Sequence, residues 1–114
     1  MVVYLANAFS LGMLASWKRW TLDITEIGLD EARTILCRGF VSTIGHQATA
    51  DFLSKLLGFT VRAVRRQINL EDGDAVVVFQ LLQRLPEGRV LTEEELRKVP
   101  YKIYLVEASW RWAP

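Results

Sequence analysis

The order of apolar and polar positions divides the chain into short segments whose period changes from one to the next. Val2 to Ala6 is a continuous apolar run, which predicts a strand buried on both faces. It ends at Asn7, and Ser10 then offers an N-cap for a short helix through Leu11, Met13 and Leu14. Lys18 and Arg19 interrupt the apolar pattern. From Trp20 to Ile27 the residues Trp20, Leu22 and Ile24 alternate with Thr21, Asp23 and Thr25, the period of a half-exposed strand. Asp30 reads as the cap of a helix to about Arg38, with Ala32, Ile35 and Leu36 inward and Gly39 as its stop. Phe40 to Ile44 leads, extended, into a second helix whose stripe is Thr49, Phe52, Leu53, Leu56 and Leu57 and whose stop is Gly58.

Thr60 to Leu70 reads as a strand with Val61, Ala63, Arg65, Gln67 and Asn69 on one face and Arg62, Val64, Arg66, Ile68 and Leu70 on the other. Asp72-Gly73 then predicts a hairpin turn. Ala75 to Leu82 is almost wholly apolar and should be the central strand. It runs out into a Pro/Gly loop, Gln83 to Arg89. Thr92 to Glu95 has the spacing of a capping box, opening a short helix to Lys98. Tyr101 to Val106 is the last strand, with Trp110 and Trp112 beyond it. No repeat or linker divides residues 1–114. Strands mixed with helices, one hairpin and no strict βαβ repeat predict a single α/β domain, a mixed β-sheet flanked by helices.

One stretch, Ser42 to Ala50, carries the only histidine, His46, and places it at the start of the second helix. Read at 3.6 residues per turn, His46 lies in the first turn and shares a face with Ala50 and Leu53. Gly45 allows the backbone there to approach a ligand closely. Free N–H groups at a helix start, with the positive end of its dipole, favour a phosphate. A lone histidine at such a place is more often a core or capping residue, and only its neighbours can alter that judgement.

Composition narrows the chemistry. A net charge of +1 does not suggest a partner of long nucleic acid, but ten of the fourteen basic residues are arginine, whose planar fork suits phosphate. The lone Cys37 excludes an internal disulfide and fits a reducing cytoplasm. One Cys and one His make a conventional zinc site within one chain very improbable, so neither a metal nor a cofactor is expected. The first residues carry neither a basic leader nor a long apolar run, so no signal peptide or membrane span is expected and the predicted location is cytoplasmic. Asn7 and Ser10 follow the first strand, Gly45 and His46 open a helix, and Arg84 and Glu87 follow the central strand. Ligands of open α/β sheets bind outside the carboxyl ends of strands. Singly, each of these residues is better explained as a turn, cap or surface ion pair, and Arg65 as part of a solvated sheet face. Together they describe a phosphate site able to run acid chemistry without a metal.

Those residues resemble a known family. Tyr4-Leu5-Ala6-Asn7-Ala8-Phe9-Ser10, Ile44-Gly45-His46 with Ala48-Thr49, Arg65, and Gln83-Arg84-Leu85-Pro86-Glu87-Gly88 with Leu91-Thr92 are similar, over nearly the whole chain, to the type III anti-CRISPR ring nucleases and their cellular relatives. The chain departs from that pattern at Gly12 and Val64, where asparagine is common. The resemblance implies a mixed sheet with helices on its faces and a homodimer enclosing one cyclic tetra-adenylate. It implies His46 as the catalytic histidine, with Arg84 and Glu87 also in the active site. Asn7, Ser10, Gly45 and Arg65 would be ligand-binding.

The implied reaction is cleavage of the ring to linear di-adenylate with 2′,3′-cyclic phosphate ends, which switches off type III CRISPR signalling. If a virus encodes the chain, it would act in the host cytoplasm. The ring's own 2′-hydroxyl is the nucleophile, so the protein need only align it, hold phosphate and protonate the leaving 5′ oxygen. The helix dipole favours a neutral imidazole and a bound phosphate a protonated one. His46 should therefore become a competent acid mainly when the ring is bound. Glu87 would orient Arg84 or a ribose hydroxyl. Two other readings compete: a protein that binds or sequesters the cyclic nucleotide without cutting it, and a structural dimer whose Arg and Trp side chains serve a protein partner.

Overall fold

The computed structural model describes residues 1–85 and 91–112. It contains β1 (Val3–Ala6), a 3₁₀ turn (Leu11–Met13), β2 (Lys18–Ile27), α1 (Leu29–Leu36), β3 (Val41–Ser42), α2 (Gln47–Leu57), β4 (Ala75–Leu81), α3 (Glu93–Lys98) and β5 (Tyr101–Trp112). The strands form one mixed sheet in the order β2-β5-β4-β1-β3. β1 runs parallel to β3 and β4, while β5 is antiparallel to β4 and β2. β1 and β4 have neighbours on both edges, which explains their unbroken apolar character.

The two faces of the sheet are covered differently. On one face, Leu5, Val77, Phe79 and Ile103 pack with Ala32 and Leu36 of α1, with Ala50, Phe52, Leu53 and Leu57 of α2, and with Leu96 of α3. On the other, Ala6, Val76, Val78, Val106 and Ala108 meet Phe9, Met13, Leu14, Ile68 and Leu70 from irregular chain. Helices therefore contribute to one face and the 3₁₀ turn to the other. None of the described helices is long and apolar enough to cross a membrane.

Several local expectations are corrected. The N-cap of α1 is Gly28, not Asp30; Glu31 reaches back to the Gly28 N–H at 3.3 Å, and Asp30 sits in the first turn paired with Arg33. Residues 60–70 are not a strand. The segment follows β3 and α2 on the β3 side of the sheet, where β3 is only two residues long and offers too short an edge to build a ladder upon. The segment instead makes isolated bonds: the Val64 N–H donates to the Ile44 carbonyl at 2.7 Å, and the Leu70 N–H to the Met13 carbonyl at 2.9 Å.

Asp72-Gly73 is consequently a turn but not a hairpin. Gly73 takes a left-handed φ of 88°, and the buried Asp74 carboxylate accepts the N–H groups of Val2 and Glu71, both at 2.9 Å. The last strand runs to Trp112 rather than Val106, because β2 pairs with it from Ile27↔Ile103 to Lys18↔Trp112. Lys18 and Arg19 belong to that ladder, and the Lys18 ammonium lies over the rings of Trp110 and Trp112 at 4.5 and 4.3 Å.

Candidate functional site

Because β1, β3 and β4 are parallel, their carboxyl ends open on one rim of the sheet. Asn7 leaves β1 there, Thr43 to His46 leave β3, and residues 82–85 leave β4. Thr43 fixes the departure from β3: its N–H and its hydroxyl both donate to the Leu5 carbonyl, at 2.9 and 2.8 Å. Ile44, fully buried, anchors the next residue, and Gly45 and His46 then carry the chain into α2.

His46 is the N-cap of α2, not a residue of its first turn. Its backbone is extended (φ −118°, ψ 132°), and it contributes only its carbonyl, which accepts the Ala50 N–H at 3.0 Å. Extended backbone directs the side chain away from the stripe that buries Ala50 and Leu53, so the imidazole is exposed. Nor does it cap the helix by a side-chain hydrogen bond. Neither the core role nor the side-chain capping role describes this histidine. The first-turn N–H groups, which have no intrahelical acceptor, remain beside it.

Gly45 serves a purpose the sequence did not suggest. A Cβ built on it would lie 3.1 Å from Cγ of Arg65. The missing side chain makes room for the stem of Arg65, so the guanidinium arrives next to the histidine. Around these residues lies an open depression of about 530 Å³, lined by Asn7, Thr43, Gly45, His46, Arg65, Arg66 and Gln67. Its cationic lining is Arg65 and Arg66, and among the described residues no carboxylate lines it. Of the expected site residues, the structure thus brings together Asn7, Gly45, His46 and Arg65.

Two of the other candidates, Ser10 and Arg84, lie outside the depression. Ser10 is the N-cap of the 3₁₀ turn, without a side-chain capping bond, and does not line the depression. Arg84 is exposed on the chain leaving β4, at the same rim but outside the lining. Glu87 lies outside the described residues. Thr43, Arg66 and Gln67 are the lining residues that sequence reasoning did not select. Reading 60–70 as a strand put Arg66 on the opposite face from Arg65; irregular backbone lets adjacent residues reach the same depression. Val64 turns instead into a neighbouring cavity of about 710 Å³ with Phe40, Phe59 and Arg62, which Arg66 also borders. Among the described residues, no group of three or more His, Cys, Asp or Glu is placed to hold a metal ion.

Similar proteins were found in viruses and in a bacterium. The chain is 35% identical over 108 residues to an uncharacterised protein of Sulfolobus islandicus filamentous virus, covering 93% of this chain and 91% of that one. It is 36% identical over 84 residues to the uncharacterised protein YddF of Bacillus subtilis, covering 71% and 78% respectively. In fold it resembles B116 of Sulfolobus turreted icosahedral virus, with a TM-score of 0.81, 26% sequence identity, and coverage of 93% of this chain and 98% of that one. The model of the STIV B116-like family matches residues 3–103, spanning both the strand that delivers Asn7 and the loop and helix that deliver His46: the chain belongs to the STIV B116-like family.

Proposed function

We propose that this protein is a metal-independent ring nuclease that cleaves cyclic tetra-adenylate. The observation that carries the reading is the exposed His46 imidazole at an uncapped helix start, with Arg65 held beside it by the space Gly45 leaves. Phosphate binds to the α2 N–H groups and the two arginines. The ribose 2′-hydroxyl attacks the adjacent phosphorus: the O2′–P bond forms and the hydroxyl proton passes to solvent. The P–O5′ bond then breaks, and His46 donates a proton to the departing O5′. Two such cuts yield two linear di-adenylates ending in 2′,3′-cyclic phosphate.

A ring with four phosphates exceeds what one shallow depression can hold. The working unit is therefore a two-fold dimer that faces two depressions, together with Arg84 and Glu87 of each chain, across the ring. Relatives in archaeal viruses support a viral countermeasure acting in the host cytoplasm against type III CRISPR signalling.

Incubation with cyclic tetra-adenylate in EDTA tests this reading. Full conversion to di-adenylate is expected. Retention of intact ring makes the protein a sequestering module. Cleavage that returns only with Mg²⁺ or Mn²⁺ overturns the mechanism.

The fit between Gly45 and Arg65 gives a second expected result. Gly45→Ala displaces the Arg65 stem by a few tenths of an ångström. Ring affinity measured by calorimetry should fall several-fold, while the melting temperature, set by a core this residue does not enter, stays within about 2 °C. Unchanged affinity would show that Arg65 does not hold phosphate.

A further inference from the structure

The cavity of about 710 Å³ beside the His46 depression combines three features that ring cleavage does not use. The first is an aromatic wall. The chain leaves α1 through Gly39 and α2 through Gly58, both with left-handed backbone, and a phenylalanine follows each. The half-buried rings of Phe40 and Phe59 meet there, 5.7 Å between centroids and tilted by 45°.

The second feature is positive charge. Residues 62–64 run past the edge strand β3 and are fastened to it by main-chain groups. The Ser42 hydroxyl donates to the Arg62 carbonyl at 2.6 Å, and the Val64 N–H donates to the Ile44 carbonyl at 2.7 Å. The guanidinium groups of Arg62 and Arg66 take no part in this fastening. Among the described residues neither is in an ion pair or a side-chain hydrogen bond, and no carboxylate lines the cavity. The third feature is the thiol of Cys37, the chain's single cysteine, which is exposed and borders the same cavity.

We propose that this cavity is a second binding site, for a purine nucleoside monophosphate, with the base stacked against Phe40 and Phe59 and the phosphate on Arg62 and Arg66. Any base stacks on an aromatic side chain, and a purine offers the larger π-face. A guanidinium presents a planar fork that fits phosphate oxygens two at a time. A phosphate monoester carries roughly −1.5 to −2 charge near pH 7, which two arginines balance. A triphosphate would bring charge that nothing in the lining matches. An aliphatic anion would leave the ring pair unused, and a neutral aromatic would leave the arginines unused. The volume lies within the roughly 300–1,000 Å³ usual for small-ligand sites.

Arg66 also lines the His46 depression, so the two sites share one cation. A guanidinium that forks a phosphate on one side is withdrawn from the other, so the two ligands should weaken each other by the same factor. This consequence rests on the ring-nuclease reading; the nucleotide site itself does not.

The single cysteine reports occupancy without reference to ring cleavage. AMP at about ten times the dissociation constant found by calorimetry should slow iodoacetamide alkylation of Cys37 about tenfold, by mass action. Adenosine and inorganic phosphate at that concentration should protect little. Arg62→Gln should weaken AMP binding roughly tenfold or more, the usual worth of a hydrogen bond to a charged group, and should leave ring cleavage in the absence of AMP unchanged. Phe40→Leu, which keeps most of the volume, should weaken it several-fold. Arg65→Ala should leave it nearly unchanged. The same chemistry occurs at the 5′-phosphorylated end of a strand: a 5′-phosphorylated di-adenylate that binds as well as AMP assigns the site to strand ends, and one that binds far more weakly assigns it to free nucleotides. No AMP binding, or binding without protection of Cys37, overturns the proposal. So does AMP binding that Arg65→Ala abolishes and Arg62→Gln leaves intact, which would place AMP in the His46 depression. Ring affinity that saturating AMP leaves unchanged overturns the sharing of Arg66.

Discussion

His46→Ala is expected to slow single-turnover cleavage of cyclic tetra-adenylate by about 10²–10⁴-fold, the usual worth of a positioned general acid. Ring affinity should change little. The imidazole is exposed and caps nothing by its side chain, so its removal leaves the helix start, its N–H groups and Arg65 in place. For the same reason the melting temperature should hardly move. Arg65→Ala gives the contrasting pattern, because it removes a cation from the depression and should lower affinity and cleavage together. The pair of variants therefore separates proton transfer from phosphate binding. If His46→Ala cleaves at the wild-type rate, another group supplies the proton, and this chain has no second histidine.

How much of this was legible in the sequence follows from which interactions are local. β1, β4, α2 and α3 were readable because their signals are confined to a few residues: an unbroken apolar run, an i, i+4 stripe closed by Gly58, a Thr92–Glu95 capping box. The box closes as expected, with the Thr92 hydroxyl accepting the Glu95 N–H and the Glu95 carboxylate accepting the Thr92 N–H, both at 3.1 Å. Residues 60–70 alternate like a strand, but the edge on their side of the sheet is the two-residue β3, and the length of that edge is set by the whole sheet rather than by the segment. The reach of β5 to Trp112 depended likewise on β2 lying alongside it.

The site shows the same division. His46 and Gly45 were marked by a helix start that the sequence displays. Their relation to Arg65 was not, because it rests on a gap between atoms twenty residues apart in the chain. The one-residue difference between first turn and N-cap also mattered. It converts a histidine aimed at the core into one aimed at solvent, and with it the side chain becomes available for chemistry.

Phe79→Ala should have the largest effect on stability. Phe79 is fully buried in the central strand β4, on the face that receives the three α-helices, with its ring centroid 6.0 Å from that of Tyr101 and Tyr101 in turn packed edge-on against Phe52 of α2. Truncation removes an aromatic side chain at a position paired with Ile103 of β5 and one residue beyond the end of the β1 ladder at Val78, so backbone collapse into the cavity is opposed by the sheet. The expected cost is about 3–5 kcal/mol in urea unfolding, near the upper range for core truncations, with a fall in melting temperature of roughly 10–20 °C. Phe79→Leu, which keeps most of the volume, should cost less than half as much. Below its melting point the Ala variant should still cleave the ring, since the rim that carries Asn7, Gly45 and His46 is built from β1 and β3, not from this side chain. A loss under about 1 kcal/mol would mean that the helix-facing layer is not the main core, and that the loop-covered face around Val76 and Val78 holds the sheet together instead.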